Sequence, residues 1–225
     1  MRRALFLHHH LEDNPGLIGQ AFASRDYEIE LALVDATSPM PSLDGIEVLV
    51  VLGSNHSVYD PDIVASWFAR ELDLMRDAVA KNIPILGICF GAQALCVLHG
   101  GVVSKAPEAE IGWYEVETLN NSKIVPGPWF EFHFDRCDLP AEASVWATSP
   151  RAVQAFCVGN NVGVQFHPEI DDVQLQDWFS AGGDYPRQFP SQNELLEQTR
   201  RETPLAKERA MELVNVFLEH VAQYS

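Results

Sequence analysis

The chain has 225 residues, with 15 Lys plus Arg against 32 Asp plus Glu and a formal net charge of −17 at neutral pH. That length suits a domain with a sizeable core, and 47% apolar with 21% charged residues is an ordinary globular balance, which excludes disorder along the whole chain. A surface this acidic repels phosphate backbones and anionic headgroups, so no nucleic acid and no membrane is expected as a partner.

Residues 3–8 form a short apolar run that fits a buried strand. The run is too short before His8 to be a signal-peptide core. The longest uncharged stretch, residues 83–104, contains Pro84, Gln93, His99 and four glycines and reads as strand, turn and helix rather than a membrane span. A reduced cytoplasmic protein is the expectation. After Pro15-Gly16, residues 17–24 are helix-like, and residues 27–34 alternate apolar and charged side chains as a half-buried strand does. Residues 46–52 are continuously apolar and β-branched, as in a strand covered on both faces. Asp60-Pro61 opens a long predicted helix to about Lys81, with Ile63, Trp67, Leu74 and Val79 on its apolar stripe. Residues 83–88 are the next buried strand and 90–99 the next helix.

This order predicts an α/β fold with a central, mostly parallel sheet flanked by helices. Short strands at 113–119, 129–134, 144–148, 153–158 and 162–166 then predict a small antiparallel extension. From Asp171 the chain turns helical, residues 182–186 break it, and Pro204 precedes a last amphipathic helix to Val221. The expected partition is a single domain over 1–225, with 171–225 as its helical C-terminal part.

Two segments carry chemistry. In Gly87-Ile88-Cys89-Phe90-Gly91 a buried strand ends and a helix begins at once, the sulfur counterpart of the G-x-S-x-G nucleophile elbow. A sharp turn strains the nucleophile's backbone, and the flanking glycines admit close neighbours. A cysteine at a helix N-terminus is biased toward thiolate. The Phe90 amide can then point at a developing oxyanion. In Gln165-Phe166-His167-Pro168-Glu169 a strand delivers an imidazole and a carboxylate two residues apart, the proton acceptor and orienting group that a thiol nucleophile needs. Gln93, one helical turn beyond Cys89, faces the same pocket.

Other features have plainer readings. His8-His9-His10 is expected to be a loop at the C-terminal edge of the sheet, since three consecutive side chains do not converge on one ion, so no metal is expected. Cys96, Cys137 and Cys157 lack metal-ligand spacing, and Cys96 reads as core packing. Glu194, Glu197, Arg200, Arg201 and Glu202 read as a solvated helix face. No cofactor-binding motif stands out, and no G-x-x-x-x-G-K-[ST] loop is present.

Taken together, residues 87–93 and 165–169 resemble the class I (triad) glutamine amidotransferase family, with its G-I-C-[LF]-G-x-Q and Q-F-H-P-E segments. Leu52-Gly53-Ser54-Asn55 resembles its glycine loop, and Glu110-Ile111-Gly112-Trp113 resembles stand-alone relatives similar to the amidotransferase domain of GMP synthase. The resemblance implies a flavodoxin-like architecture and hydrolysis of the L-glutamine side-chain amide through a γ-glutamyl thioester on Cys89. His167 would be the base and Glu169 its orienting partner, with the Gly53 and Phe90 amides as oxyanion hole. It also implies that Gln93, Phe132, His133 and Phe134 contact substrate. Two departures stand out: Ser54 replaces a second glycine, and residues 132–135 replace a His-Gly-Asp type of sequence. Because no synthetase follows in the chain, ammonia would go to a separate acceptor subunit, or the same triad would act as a γ-glutamyl peptidase or hydrolase on γ-glutamyl conjugates. From a different class stands a non-catalytic binding module, against which the intact Cys, His and Glu speak. A redox sensor would use the same thiol but lacks an evident resolving cysteine.

Overall fold

Short apolar runs in the first half of the chain become neighbouring parallel strands, because nothing but another strand and a helix can cover both faces of such a run. The computed structural model describes residues 2–119, 123–182 and 189–224. In chain order the elements are β1 (Arg2–His8), α1 (Gly16–Ala23), β2 (Tyr27–Leu33), β3 (Val48–Val51), α2 (Pro61–Val64), α3 (Phe68–Ala80), β4 (Ile85–Ile88) and α4 (Phe90–Leu98). They continue with β5 (Val102–Glu115), β6 (Glu117–Thr118), β7 (Pro128–Asp138), β8 (Ser144–Thr148), β9 (Val153–Val158), β10 (Asn161–Val164), α5 (Asp172–Ala181) and α6 (Gln192–Val221).

The main sheet runs β2-β1-β3-β4-β10-β9-β8-β6. Its first five strands are parallel, and β9, β8 and β6 extend it antiparallel. Strands β3, β4 and β10 are buried along their whole length. Period-two alternation divides the core. Phe6, Val50 and Ile88 face Ile18 and Phe22 of α1 and Leu213 and Phe217 of α6, whereas Leu7, Leu49 and Ile85 face Phe68 and Met75 of α3 and Leu95 of α4. Strands β5 and β7 form a separate antiparallel ladder, interrupted between Lys105 and Glu110. Ile111 and Phe130 of that ladder pack with Ile170, Leu175 and Leu195.

Three expectations are corrected. The long helix from Asp60 is two helices. Ser66 N–H bonds back three residues to Ile63 instead of four, which tightens and ends α2, and the ladder restarts with Glu71 N–H on Trp67. The turn aims the Trp67 ring at His9, on which it stacks at 5.0 Å. The last helix does not begin at Pro204. It starts at Gln192 behind a reciprocal Ser191–Glu194 capping box and carries Pro204 in its interior. Pro204 lacks a donor for the Arg200 carbonyl, but both residues lie on the exposed side, where water can take that bond. Strand β5 begins at Val102 rather than near Trp113, because its bulge hides the alternation. Of the predicted break at 182–186, Gly182 ends α5, and residues 183–186 lie outside the described residues.

Pro204→Ala restores the missing donor in a continuous helix. The expected outcome is a gain of about 1–3 kcal/mol in a urea unfolding titration. An unchanged or lowered midpoint would contradict an uninterrupted α6.

Candidate active site

The C-terminal ends of β1, β3, β4 and β10 lie side by side, the edge at which parallel sheets place their sites. Cys89 follows β4 directly and has φ 51°, ψ −104°, a left-handed conformation that costs a non-glycine residue on the order of 1–3 kcal/mol. Two contacts hold it there. Its N–H donates to the Val164 carbonyl of β10 at 2.8 Å, and its carbonyl accepts the Gln93 N–H at 3.0 Å, opening α4. Gly91 explains the motif's second glycine: a Cβ there would overlap the Val51 carbonyl of β3.

The continuation of β10 delivers the second segment. His167 N–H donates to the Phe130 carbonyl at 2.7 Å, and the Glu169 carbonyl accepts Leu17 N–H at 2.9 Å at the start of α1. Within that turn His167 Nδ1 meets Glu169 Oε1 at 2.7 Å, with both side chains buried. Cys89 is the imidazole's other interacting neighbour, and both border Gly53. Burial disfavours protonation of His167, but the charges of Glu169 and Cys89 and the hydrogen bonds with them outweigh it and raise its pKa well above the ordinary imidazole value. Trp178 of α5 stands edge-on to His167 at 5.1 Å and donates to Asp13 at 3.1 Å.

Gly53 closes the third side. A Cβ on Gly53 would lie 2.9 Å from His167 Cε1 and 3.8 Å from Cys89 Cβ, so only glycine lets this backbone reach the thiol. Gln93 Nε2 contacts Gln165 Oε1 at 3.3 Å, and the Phe132 carbonyl lies 4.0 Å from Cys89 Sγ. The cavity here is partly open and measures about 520 Å³. All nine predicted site residues, Cys89, His167, Glu169, Gly53, Phe90, Gln93, Phe132, His133 and Phe134, are drawn to this one place. Eight of them line the cavity, and Glu169 sits behind His167.

His133 meets more than the predicted substrate side. Alternation along β7 puts Glu131, His133 and Asp135 on one face, and Glu110 of β5 stands opposite His133 in register. His133 Nε2 is 3.2 Å from Glu110 and 3.3 Å from Glu131, and its Nδ1–H donates to the Asp135 carbonyl at 2.9 Å. Burial works against its charge, but the two carboxylates carry its pKa up to about 10. Burial pushes Glu131 up to about 7 despite His133. Glu110 is also pushed up by burial, but His133, Ser149 and Arg151 outweigh this and hold its carboxyl below the usual range.

The sequence reading missed His9 and Glu71. His9 lies in the expected loop at the C-terminal edge of the sheet, just after β1, and is buried beneath the Gly53 segment. Its Nδ1–H donates to the Gly53 carbonyl at 2.8 Å, and its Nε2 meets Glu71 Oε2 at 3.1 Å. A signal existed: Glu71 lies on the apolar stripe of α3 beside Phe68, Leu72 and Met75, where a carboxylate needs a buried partner. Burial lowers the His9 pKa, but Glu71 and the Gly53 carbonyl outweigh it and leave it raised.

Residues 16–174 match the model of the family described as glutamine amidotransferase class-I, and the chain belongs to that family. It is 30% identical over 219 residues to the glutamine-hydrolysing GMP synthase of Aeropyrum pernix, covering 84% of this chain and 41% of that one. It is 36% identical over 123 residues to the corresponding enzyme of Thermosipho africanus, covering 50% of this chain and 24% of that one. The chain thus spans less than half the length of these curated relatives. Over 97% of its length it superposes on 98% of a glutamine amidotransferase from Thermotoga maritima, with TM-score 0.87 and 27% identity. A glutamine amidotransferase from Methylobacillus flagellatus shares the fold, with TM-score 0.85 at 23% identity, covering 98% of this chain and 95% of that one.

The His133 network gives a pH signature. Its folded-state pKa of about 10 lies above the 6.5 of the free imidazole. Its stabilisation is therefore complete below about pH 6.5 and lost as pH rises through about 10. The melting temperature should fall between about pH 6.5 and 10, and more steeply in the wild type than in His133→Gln. Parallel curves by circular dichroism would refute the assignment.

Proposed function

We propose that the chain is an enzyme that hydrolyses the side-chain amide of L-glutamine through a thioester on Cys89. The observation that carries this is the 2.7 Å His167–Glu169 bond, which fixes an imidazole against a strained thiol at a strand-to-helix turn. Glu169 holds Nδ1–H, so Nε2 is the nitrogen that takes the Cys89 proton. The thiolate attacks the amide carbon, and the carbonyl oxygen gains the negative charge between the Phe90 amide and the Gly53 loop. His167 then returns its proton to the departing nitrogen, ammonia leaves, and the γ-glutamyl thioester remains. Water, deprotonated by His167, attacks the thioester. The C–S bond breaks, Cys89 regains its proton and glutamate is released. Gln93, Phe132, His133 and Phe134 form the substrate side of the pocket. Residues 1–225 act as a single domain in this reading, supported by the core that α6 shares with β1 and α1. Ammonia passes to an acceptor, which the glutamine-hydrolysing synthase relatives support, and in this reading the acceptor is a separate subunit. Four free thiols fit a reducing cytoplasm.

The cavity volume favours a second reading, a γ-glutamyl hydrolase. Ten non-hydrogen atoms at liquid water's ~30 Å³ each need at most about 300 Å³, which leaves room for a larger leaving group. Glutamate release from L-glutamine and from a γ-glutamyl peptide panel separates the two. Cys89→Ser should lose at least about 10³-fold in turnover, and Glu169→Gln about 10²–10⁴-fold, both with unchanged circular dichroism. Turnover that survives Cys89→Ser would sink the mechanism.

Gly53→Ala tests the third wall. Its Cβ would press on His167 Cε1, so kcat should fall about 10²-fold in a glutamate-release assay while the chain stays folded. Wild-type turnover in this variant would show that the loop has room to spare.

A further inference from the structure

His9 is outside the triad, yet it touches both segments that would supply the oxyanion hole. Its Nδ1–H holds the Gly53 carbonyl at 2.8 Å, and its ring meets the Phe90 ring edge-on at 4.9 Å. On its other side the ring stacks on Trp67 at 5.0 Å, and Nε2 faces Glu71 at 3.1 Å, with His9 and Glu71 side chains 1% and 0% exposed. A ring packed on two faces and bonded at both nitrogens has one orientation.

We propose that His9, braced by Glu71, is a positioning residue that holds the 52–54 backbone so that its N–H groups face the adduct on Cys89; this rests on the catalytic reading above. Glycine is the residue least able to hold its own backbone, so the loop needs anchors. Two flank the Gly53 N–H. Leu52 N–H donates to the Leu7 carbonyl at 3.0 Å, and the Gly53 carbonyl accepts from His9. In a planar trans peptide the Ser54 N–H points opposite to the Gly53 carbonyl, and therefore away from His9. Gly53 and Ser54 both line the cavity that holds Cys89 and His167. Glu71 complements His9. A carboxylate buried on α3 is tolerable only when paired, and pairing with Nε2 keeps Nδ1–H aimed at the carbonyl.

The test compares turnover with thiol reactivity. Alkylation of Cys89 by iodoacetamide needs a thiolate but no oxyanion hole, whereas hydrolysis of L-glutamine or γ-glutamyl p-nitroanilide needs both. His9→Ala alone would strand the Glu71 charge, so His9→Ala/Glu71→Leu removes both partners together. In that variant kcat should fall about 30–100-fold, with KM within about 3-fold and the alkylation rate within about 2-fold of wild type. His9→Asn/Glu71→Gln places an amide N–H near the position of Nδ1 and should recover kcat to within about 5-fold of wild type. His9→Gln/Glu71→Gln, with its amide nearer the Nε2 position, should stay low. Unchanged kcat in the Ala/Leu variant overturns the assignment and leaves the catalytic reading standing. Loss of alkylation in parallel with kcat also overturns it, as general disruption. No turnover of either substrate by the wild-type chain removes the catalytic reading and this assignment with it.

Discussion

The backbone turn at Cys89 is the constraint on which the rest of the site depends. A left-handed residue between a strand and a helix is stable only where its surroundings leave no alternative. Here the Val164 carbonyl holds the Cys89 N–H, and Gly91 lies against the Val51 carbonyl. Those carbonyls belong to the strands on either side of β4, so the same pairing that strains the turn also places its neighbours. The loop after β3 brings Gly53, and the continuation of β10 brings His167 and Glu169. Parallel pairing puts all these chain ends at one edge, which is why residues 53, 89 and 167 meet without any contact being local in sequence.

Around the thiol, one arrangement is used three times. Glu169 backs His167, Glu71 backs His9, and Glu110 with Glu131 surrounds His133. Each imidazole resolves the same conflict, a carboxylate taken out of water that has to be matched by a partner donor. The roles differ with direction. His167 faces Cys89, His9 faces a backbone carbonyl, and His133 is enclosed by its carboxylates and the Asp135 carbonyl. Only the first leaves a nitrogen for proton transfer. The other two trade titration for rigidity, which suits walls that have to stay in place.

The two-stranded β5–β7 ladder is tied to this centre rather than appended to it. His167 N–H bonds to Phe130 of β7, the Phe132 carbonyl approaches Cys89, and Ser57 and Tyr59, in the segment after β3, both donate to Asp135. The sheet edge that carries Cys89 and the ladder therefore share hydrogen bonds on several sides of the cavity, and α5 adds Trp178 against the imidazole.

Periodicity and a few small residues were enough to determine the α/β class, the strand-to-helix turn at Cys89 and the His-Pro-Glu turn, because these depend on residues adjacent in the chain. Helix limits were less legible: Ser66 and Pro204 act through single hydrogen bonds whose outcome depends on packing and on access to water. The 102–112 half of β5 was hidden by a bulge, which breaks alternation where a strand is read by alternation. The buried pairs made across long sequence separations were illegible for a different reason. Nothing near His9 in sequence names Glu71, and nothing near His133 names Glu110. Those partners were chosen when the sheet placed β1 beside β3 under α3, and when β5 came into register with β7. Local sequence specifies the Cys89 turn and the adjacent His167–Glu169 pair, while tertiary structure alone decides the distant partners Glu71 and Glu110, because the energetic need of a buried carboxylate is met by whatever donor the fold brings within reach.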